Sequence, residues 1–241
     1  MRPPDIAAEV ARQIGPAEGL RILHVSDLHN RRAGFRLVRE LAIAVLPVAV
    51  VNTGDVSGLG SYAEGLWIAW FCDLPAPLVF AGGNHDSSGI GSKLRRVGAC
   101  ILDGSICRVD GLAFWGYPDP NRTRLRQRED YQVALLDQSR NRFWPPETQE
   151  PVIGAVHHER MASTPAVNCP LVLSGHIHSQ KVHRLGPTLY VRCGSTGGGG
   201  PFGGPLEAAV IDVEASSLQP RAVWLVQARG KEASVRHVDT I

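Results

Sequence analysis

Five apolar runs in this chain stop abruptly in Asp, Asn or His, and the first three do so at nearly even intervals. Arg21–Val25 leads into Ser26-Asp27-Leu28-His29, Val48–Val51 leads to Gly54-Asp55, and Leu78–Ala81 leads into Gly82-Gly83-Asn84-His85-Asp86. Asp27 to Asp55 is 28 residues and Asp55 to Asn84 is 29. One strand, one helix and two short loops take about that length, so each repeat returns the chain to the same sheet edge. Between the runs, Phe35–Leu46 has helical spacing (Leu37, Val38, Leu41, Val45) and Ser61–Phe71 reads as a second helix. Continuous apolar strands alternating with helices predict parallel strands covered on both faces. In such sheets ligands bind at the carboxyl edge. Two later runs end alike: Val152–Val156 in His157-His158, and Leu171–Leu173 in Ser174-Gly175-His176-Ile177-His178.

After Cys100 the texture changes to short strand-like runs at Ser105–Val109, Leu112–Trp115, Val152–Val156, Leu171–Leu173, Thr188–Val191, Ala208–Val213 and Ala222–Val226. One helix, about Glu129 to Ser139, interrupts them. The reading is an α/β beginning joined to a β-rich second half around one core. Residues 1–19 form a lead-in with one helical turn about Ile6–Ile14, and residues 20–241 form the domain. At 241 residues such a domain buries enough surface to need no covalent staple.

Composition narrows the function classes. With 25 basic and 23 acidic residues the net charge is +2, which gives no mandate for nucleic-acid or membrane binding. The longest apolar run, Leu41–Val51, has eleven residues and contains Pro47, well short of the ~20 that span a bilayer. The N-terminal stretch has no apolar h-region. Cys72, Cys100, Cys107, Cys169 and Cys193 are odd in number, scattered and free of C-x-x-C pairs. No disulfide framework and no cysteine zinc site are expected, and a reducing, cytoplasmic compartment follows.

One sheet edge would thus collect two Asp, one Asn and several His. This is an oxygen and nitrogen shell without sulfur, suited to Mn, Fe, Zn or a similar divalent ion. Seven ligands are too many for one tetrahedral site and suit two metals about 3.5–4 Å apart. Gly54, Gly83 and Gly175 each precede a ligand, where a tight turn must bring backbone close to the ion.

The order D-x-H (Asp27, His29), G-D (Gly54, Asp55), G-N-H-D (Gly83 to Asp86), a lone His, then G-H-x-H (Gly175 to His178) resembles the calcineurin-like metallophosphoesterases over about residues 20–200. The resemblance implies a four-layer α-β-β-α sandwich in a single domain, with a binuclear metal site where loops from both sheets meet. It also implies hydrolysis of phosphate esters by a metal-bridging hydroxide. Carried over residue by residue, Asp27, His29 and His178 hold the first metal. Asn84, His157 and His176 hold the second, Asp55 bridges, and His85 is an unligated histidine that contacts the phosphate and assists the leaving group. Two positions depart from the pattern. His158-Glu159-Arg160 stands where many relatives have proline after the histidine pair, so His158 stays open as the ligand instead of His157. Gly54-Asp55-Val56-Ser57-Gly58 lacks a second acidic residue that many relatives carry.

Taken singly, each of these residues has a bland reading: a strand-end Asp is a turn or cap residue, and Asn84 after two glycines is a turn. Turn chemistry does not ask for the ordered mixture. His24, inside the first run, reads as a buried structural histidine, and His183 and His237 have no partner pattern. Arg122, Arg124, Arg126 and Arg128 read as a solvated basic loop before an anion-attracting lip. The run Gly194 to Gly200 lacks the G-K-[ST] ending of a P-loop and reads as a flexible wall of the site. The expected activity is a metal-dependent phosphodiesterase acting on a small-molecule phosphate ester or nucleotide in an open cleft without a cap. A phosphomonoesterase or nucleotide pyrophosphatase is the alternative on the same site, and a non-catalytic scaffold of the same fold is a third. Nucleic acid is not favoured as substrate, because a nuclease would show a longer basic groove.

Overall fold

The computed structural model describes residues 5–61, 63–122, 129–140, 148–162, 168–199 and 203–240. The chain opens with helix α1 (Ile6–Ile14), nine residues rather than a single turn. The Asp5 carboxylate caps it, accepting from the amides of Ala7 (3.1 Å) and Ala8 (3.2 Å), and Ala7, Val10 and Ile14 form its buried stripe. The alternation read from the sequence follows: β1 (Leu20–Val25), α2 (Arg32–Val45), β2 (Ala49–Asn52), a 3-10 helix (Ala63–Phe71), β3 (Leu78–Phe80), α3 (Ser88–Arg96) and β4 (Cys100–Ile101). Helix α2 buries Leu37, Val38, Leu41, Ala42 and Val45 and stops at Leu46, whose left-handed backbone precedes Pro47. Strands β1 to β4 are parallel, with Val25 beside Asn52 and Asn52 beside Phe80, so their carboxyl ends are level. That levelness puts the three motifs side by side.

The β-rich half builds a second sheet from β5 (Cys107–Val109), β6 (Leu112–Trp115), β7 (Ile153–Ala155), β8 (Leu171–Ser174), β9 (Gln180–Leu185) and β10 (Thr188–Cys193). Its order is β5-β6-β7-β8-β10-β9, parallel from β6 through β10. Helix α4 (Glu129–Arg140) lies between β6 and β7 in the chain. Strands β11 (Leu206–Val213), β12 (Pro220–Arg229) and β13 (Glu232–Val238) then return antiparallel to the first sheet, giving the order β13-β12-β11-β1-β2-β3-β4.

Three apolar layers result. Between the sheets lie Ile22, Val51 and Val79 against Phe114, Ile153, Leu171 and Leu189. On the far side of the first sheet, Val10, Leu41, Val45 and Leu94 of α1, α2 and α3 cover Leu23, Val25, Val50 and Phe80. On the far side of the second, Leu136, Met161 and Ala162 pack with Trp115, Val156 and Tyr190. This is the α-β-β-α sandwich in one domain. Strands such as β1 are buried on both faces, which is why they read as unbroken apolar runs. Among the described residues no helix is long and apolar enough to cross a membrane.

The cysteine expectation fails at one pair. Cys100 on β4 and Cys107 on β5 are joined by a disulfide, their Cα atoms 6.4 Å apart, while Cys72, Cys169 and Cys193 are free. A spacing of seven residues carries no signal for this. The pair meets only because β4 and β5 are edge strands of different sheets, stacked at one end of the sandwich.

Among the described residues a buried ion pair lies far from the sheet edge. Arg21 on β1 donates from Nε (2.7 Å) and Nη2 (2.8 Å) to both oxygens of Asp212 on β11, and from Nη1 to the Gly15 carbonyl after α1. Asp212 also accepts the Glu18 amide at 2.9 Å, and Arg21 lies over the Trp224 ring. Both side chains are almost fully buried. Asp212→Ala should therefore destabilise the protein by about 3–5 kcal/mol in urea denaturation, because it strands a buried guanidinium. Arg21→Met with Asp212→Leu should cost far less than that single change.

Candidate metal centre

The carboxyl ends of β1, β2 and β3 and the loops after β7 and β8 converge on one point. Of the residues singled out at the strand ends, the structure brings together Asp27, His29, Asp55, Asn84, His85, His157, His176 and His178. His24 is not among them. It is fully buried behind Asp27, its Nε2 3.0 Å from the Thr53 hydroxyl, and burial depresses its pKa to about 3, partly opposed by Asp27.

The two aspartates are built alike. Each uses one carboxylate oxygen to fasten a loop and turns the other into the cluster. Asp27 Oδ2 accepts the His176 amide (2.9 Å), while Oδ1 lies 3.1 Å from His178 Nε2 and 3.8 Å from His29 Nε2. Asp55 Oδ1 accepts the His85 amide (2.9 Å), while Oδ2 lies 3.3 Å from His157 Nε2 and 3.9 Å from each of His29 and His85 Nε2. Asp55 thus groups with His29 and His85 on one side and with His157 and His176 on the other, and His29 groups in turn with Asp27 and His178. Asn84 Oδ1 completes the second group, 2.9 Å from His157 Nε2 and 3.2 Å from His176 Nδ1.

These atoms have a deficit of protons. His157 donates its Nδ1–H to the Thr53 carbonyl at 2.7 Å, so in the neutral ring Nε2 carries a lone pair. That lone pair meets Asn84 Oδ1, Asp55 Oδ2 and, at 3.2 Å, His176 Nδ1. His29 Nε2 and His178 Nε2 likewise face each other at 3.2 Å. A cation placed among these atoms would satisfy such a set. Burial opposes a charged His157, yet Asp55, then Asp27 and Asp119, push its pKa well above the usual value. Burial also works to raise the Asp27 and Asp55 carboxyls, but the surrounding histidines hold both below the normal range. Burial lowers His29, and burial with His157 lowers His176 to about 4, whereas the hydrogen bond to Asp27 raises His178. Oxygen and imidazole donors without thiolate, preorganised around buried carboxylates, fit divalent metal ions.

Local backbone geometry makes the convergence feasible. Asp27, His29, Asp55, His176 and His178 all have positive φ, between 44° and 70°. Such conformations are uncommon for residues with a Cβ and cost of order 1–3 kcal/mol each. The glycines beside them allow close approach: a Cβ on Gly83 would fall 2.1 Å from Asp55 Oδ1, and one on Gly175 1.9 Å from the Ser26 hydroxyl.

His158 does not join the ligand-type atoms. Its ring tilts against that of His176 at 4.6 Å between centroids, and its Nδ1 accepts the Arg160 amide. Of the other histidines, His183 stacks on Tyr190 beside Glu159, and His237 packs on Trp224. The glycine run does not act as a loose wall over the described part. A Cβ on Gly197 would strike the Leu28 carbonyl and one on Gly199 the His178 ring, so the run is packed against the first and last motifs. Arg124, Arg126, Arg128 and Gly200 lie outside the described residues. Sequence reasoning missed the supports: Thr53 behind His157, Thr196 bonded to both backbone groups of Ser26, and Asp86. Asp86 was legible as the acid closing G-N-H-D; Thr53 and Thr196 act through position alone.

Residues 20–180 match the sequence profile of the calcineurin-like phosphoesterases. No curated protein matches the chain by sequence comparison. Solved structures do resemble it. The protein TT1561 of Thermus thermophilus is 14% identical at a TM-score of 0.58, covering 90% of this chain and 98% of its own. An archaeal phosphodiesterase is 15% identical at 0.51, covering 91% and 100%. Vacuolar Protein Sorting 29 from Cryptosporidium parvum is 15% identical at 0.52, covering 91% and 97%. Identities this low speak to the fold alone. The profile spans two thirds of the chain and the fold agrees with it, and on that ground the chain belongs to the calcineurin-like phosphoesterase family.

Proposed function

We propose that this protein is a binuclear metal-dependent phosphoesterase, and within that class a phosphodiesterase of small molecules or nucleotides. The observation that carries the reading is the single Asp55 oxygen set between two groups of lone pairs, 3.3 Å from His157 and 3.9 Å from His29. Asp27, His29 and His178 would hold one ion, Asn84, His157 and His176 the other, and Asp55 both. When bound, such a pair supplies charge neutralisation for the phosphoryl oxygens and lowers the pKa of an attacking water from 15.7 toward ~7.

The chain's own residues supply positioning and protons. His85 donates Nδ1–H to the Gly58 carbonyl, which leaves Nε2 facing the cluster near Asp55. From there Nε2 can donate a hydrogen bond to a phosphoryl oxygen or pass a proton to the departing alkoxide. Asn84 fixes the second group while its neighbour His85 points elsewhere, because consecutive side chains of one extended turn diverge. The diester preference rests on the exposure at the rim, where His178 and the flanking Ile177 face solvent and leave room for a second ester substituent. A scaffold without catalysis has less support, since none of the seven ligand positions is lost.

Three outcomes test this reading. Elemental analysis should find about two divalent ions per chain, with hydrolysis of bis-nitrophenyl phosphate lost on chelation and restored by Mn or a similar ion. An apo protein that turns over normally would sink it. His157→Ala should lose one ion, whereas His158→Ala should keep both; the reverse would mean the ligand is His158. His85→Ala should retain its metals yet lose about 10²–10⁴-fold in turnover on an alkyl ester, and less on a nitrophenyl ester that needs little protonation. Equal losses on both would reduce His85 to phosphate positioning.

A further inference from the structure

Glu64 opens the 3-10 helix after the second motif and has a simple explanation that covers only part of what it does. Ser61 and Glu64 form a reciprocal cap: the Ser61 amide donates to Glu64 Oε2 at 2.7 Å and the Glu64 amide donates to the Ser61 hydroxyl. A cap needs no more. Yet Glu64 Oε1 also accepts the amides of Gly58 (2.9 Å) and Leu59 (3.0 Å) and the side-chain amide of Asn30, the residue that follows the Asp27–His29 motif. Asn30 itself is tied to the second motif, its backbone amide donating to the Val56 carbonyl.

The Leu59 amide is the informative partner. It belongs to the same peptide unit as the Gly58 carbonyl, and that carbonyl accepts Nδ1–H of His85. A continuous chain therefore runs from the Glu64 carboxylate to the Leu59 N–H, through the peptide to the Gly58 C=O, and on to the His85 ring. Hydrogen bonds in series polarise one another, so a carboxylate on the amide side of a peptide makes its carbonyl a stronger acceptor. The acceptor on Nδ1 in turn decides which imidazole nitrogen carries the proton and how the ring is turned.

The geometry points to Glu64 as the positioning residue of His85, a carboxylate acting on the histidine across one peptide bond. It holds the Gly58–Ser61 loop by three backbone amides, and it fixes the ring with Nδ1–H outward and Nε2 toward the site. The inference rests on the phosphoesterase reading for what Nε2 does, but not for the ring's tautomer.

The test uses both. In metal-free, ¹⁵N-labelled protein at a pH where the ring is neutral, long-range ¹H–¹⁵N correlations should show His85 as the Nδ1–H tautomer, its signals identified by their loss in His85→Ala. In Glu64→Ala they should move toward the Nε2–H form that free imidazole prefers. In the metal-loaded protein Glu64→Ala should keep its ions and lose about 10–100-fold on an alkyl ester, and less on a nitrophenyl ester. Added to His85→Ala it should cost nothing more. If Glu64→Ala does not fold, Glu64→Gln, which keeps one acceptor oxygen without the charge, carries the same readouts with smaller shifts. An unchanged tautomer, or a double variant whose loss is the product of the two single losses, overturns the inference. Should the loaded wild type hydrolyse neither ester, the phosphoesterase reading falls, and the tautomer still decides the role of Glu64.

Discussion

The metal centre hangs on one buried carboxylate that offers no atom to the cluster itself. Asp86 accepts the amide of Asp55 at 2.7 Å, the amides of Ser57 and Gly83 at 3.0 Å each, and the Ser57 hydroxyl at 2.9 Å. It therefore clamps the turn after β2 to the turn after β3, and holds the backbone of the shared aspartate. The clamp works against its surroundings: burial, and then the nearby Asp55 charge, raise its pKa to about 6 despite the donated hydrogen bonds. Four donors on one carboxylate are what make an acid at full burial tolerable.

The same logic recurs around the site. Five of the ligand-type residues sit in left-handed backbone, a state that neighbours must hold in place. Here the neighbours are specific: the Asp27 amide donates to the Gly54 carbonyl, the His29 amide to the Asp55 carbonyl, and the His176 amide to Asp27 itself. Each motif is thus fastened by another motif rather than by its own strand. Ser195 and Thr196, at the start of the glycine run, add a further layer by bonding to the carbonyls of Asp27 and Ser26. A rigid ring of loops on two level sheets can keep like-charged and proton-poor groups together, where mobile loops would let them separate.

Much of this was legible before any coordinates. Runs such as Ile22–Val25 and Val50–Val51 are apolar without alternation because both their faces are covered, so burial wrote itself into the sequence. What escaped were elements with little apolar content. Helix α3 carries Lys93, Arg95 and Arg96 and buries only Ile90 and Leu94, and β9 and β13 are edge strands of largely polar, exposed residues. An edge strand is held by backbone pairing on one side, and its side chains need no pattern. The Ala63–Phe71 segment came out as 3-10 rather than α-helix, and Cys100 met Cys107 although no spacing rule pairs them.

The residue types, their order and their positions at strand ends are properties of the sequence, and they sufficed to bring Asp27, Asp55, Asn84 and the histidines to one edge. The choice between neighbours was not. His157 and His158 have the same chemistry, and only the direction in which the chain leaves β7 turns the first ring toward Asn84 and the second against the outside of His176. Nor could the sequence tell that Glu64 reaches His85, because that contact runs through a peptide group that every residue possesses. Side-chain identity is encoded locally. Which lone pair faces which is set by strand register and loop geometry, and those are settled only when both sheets are packed.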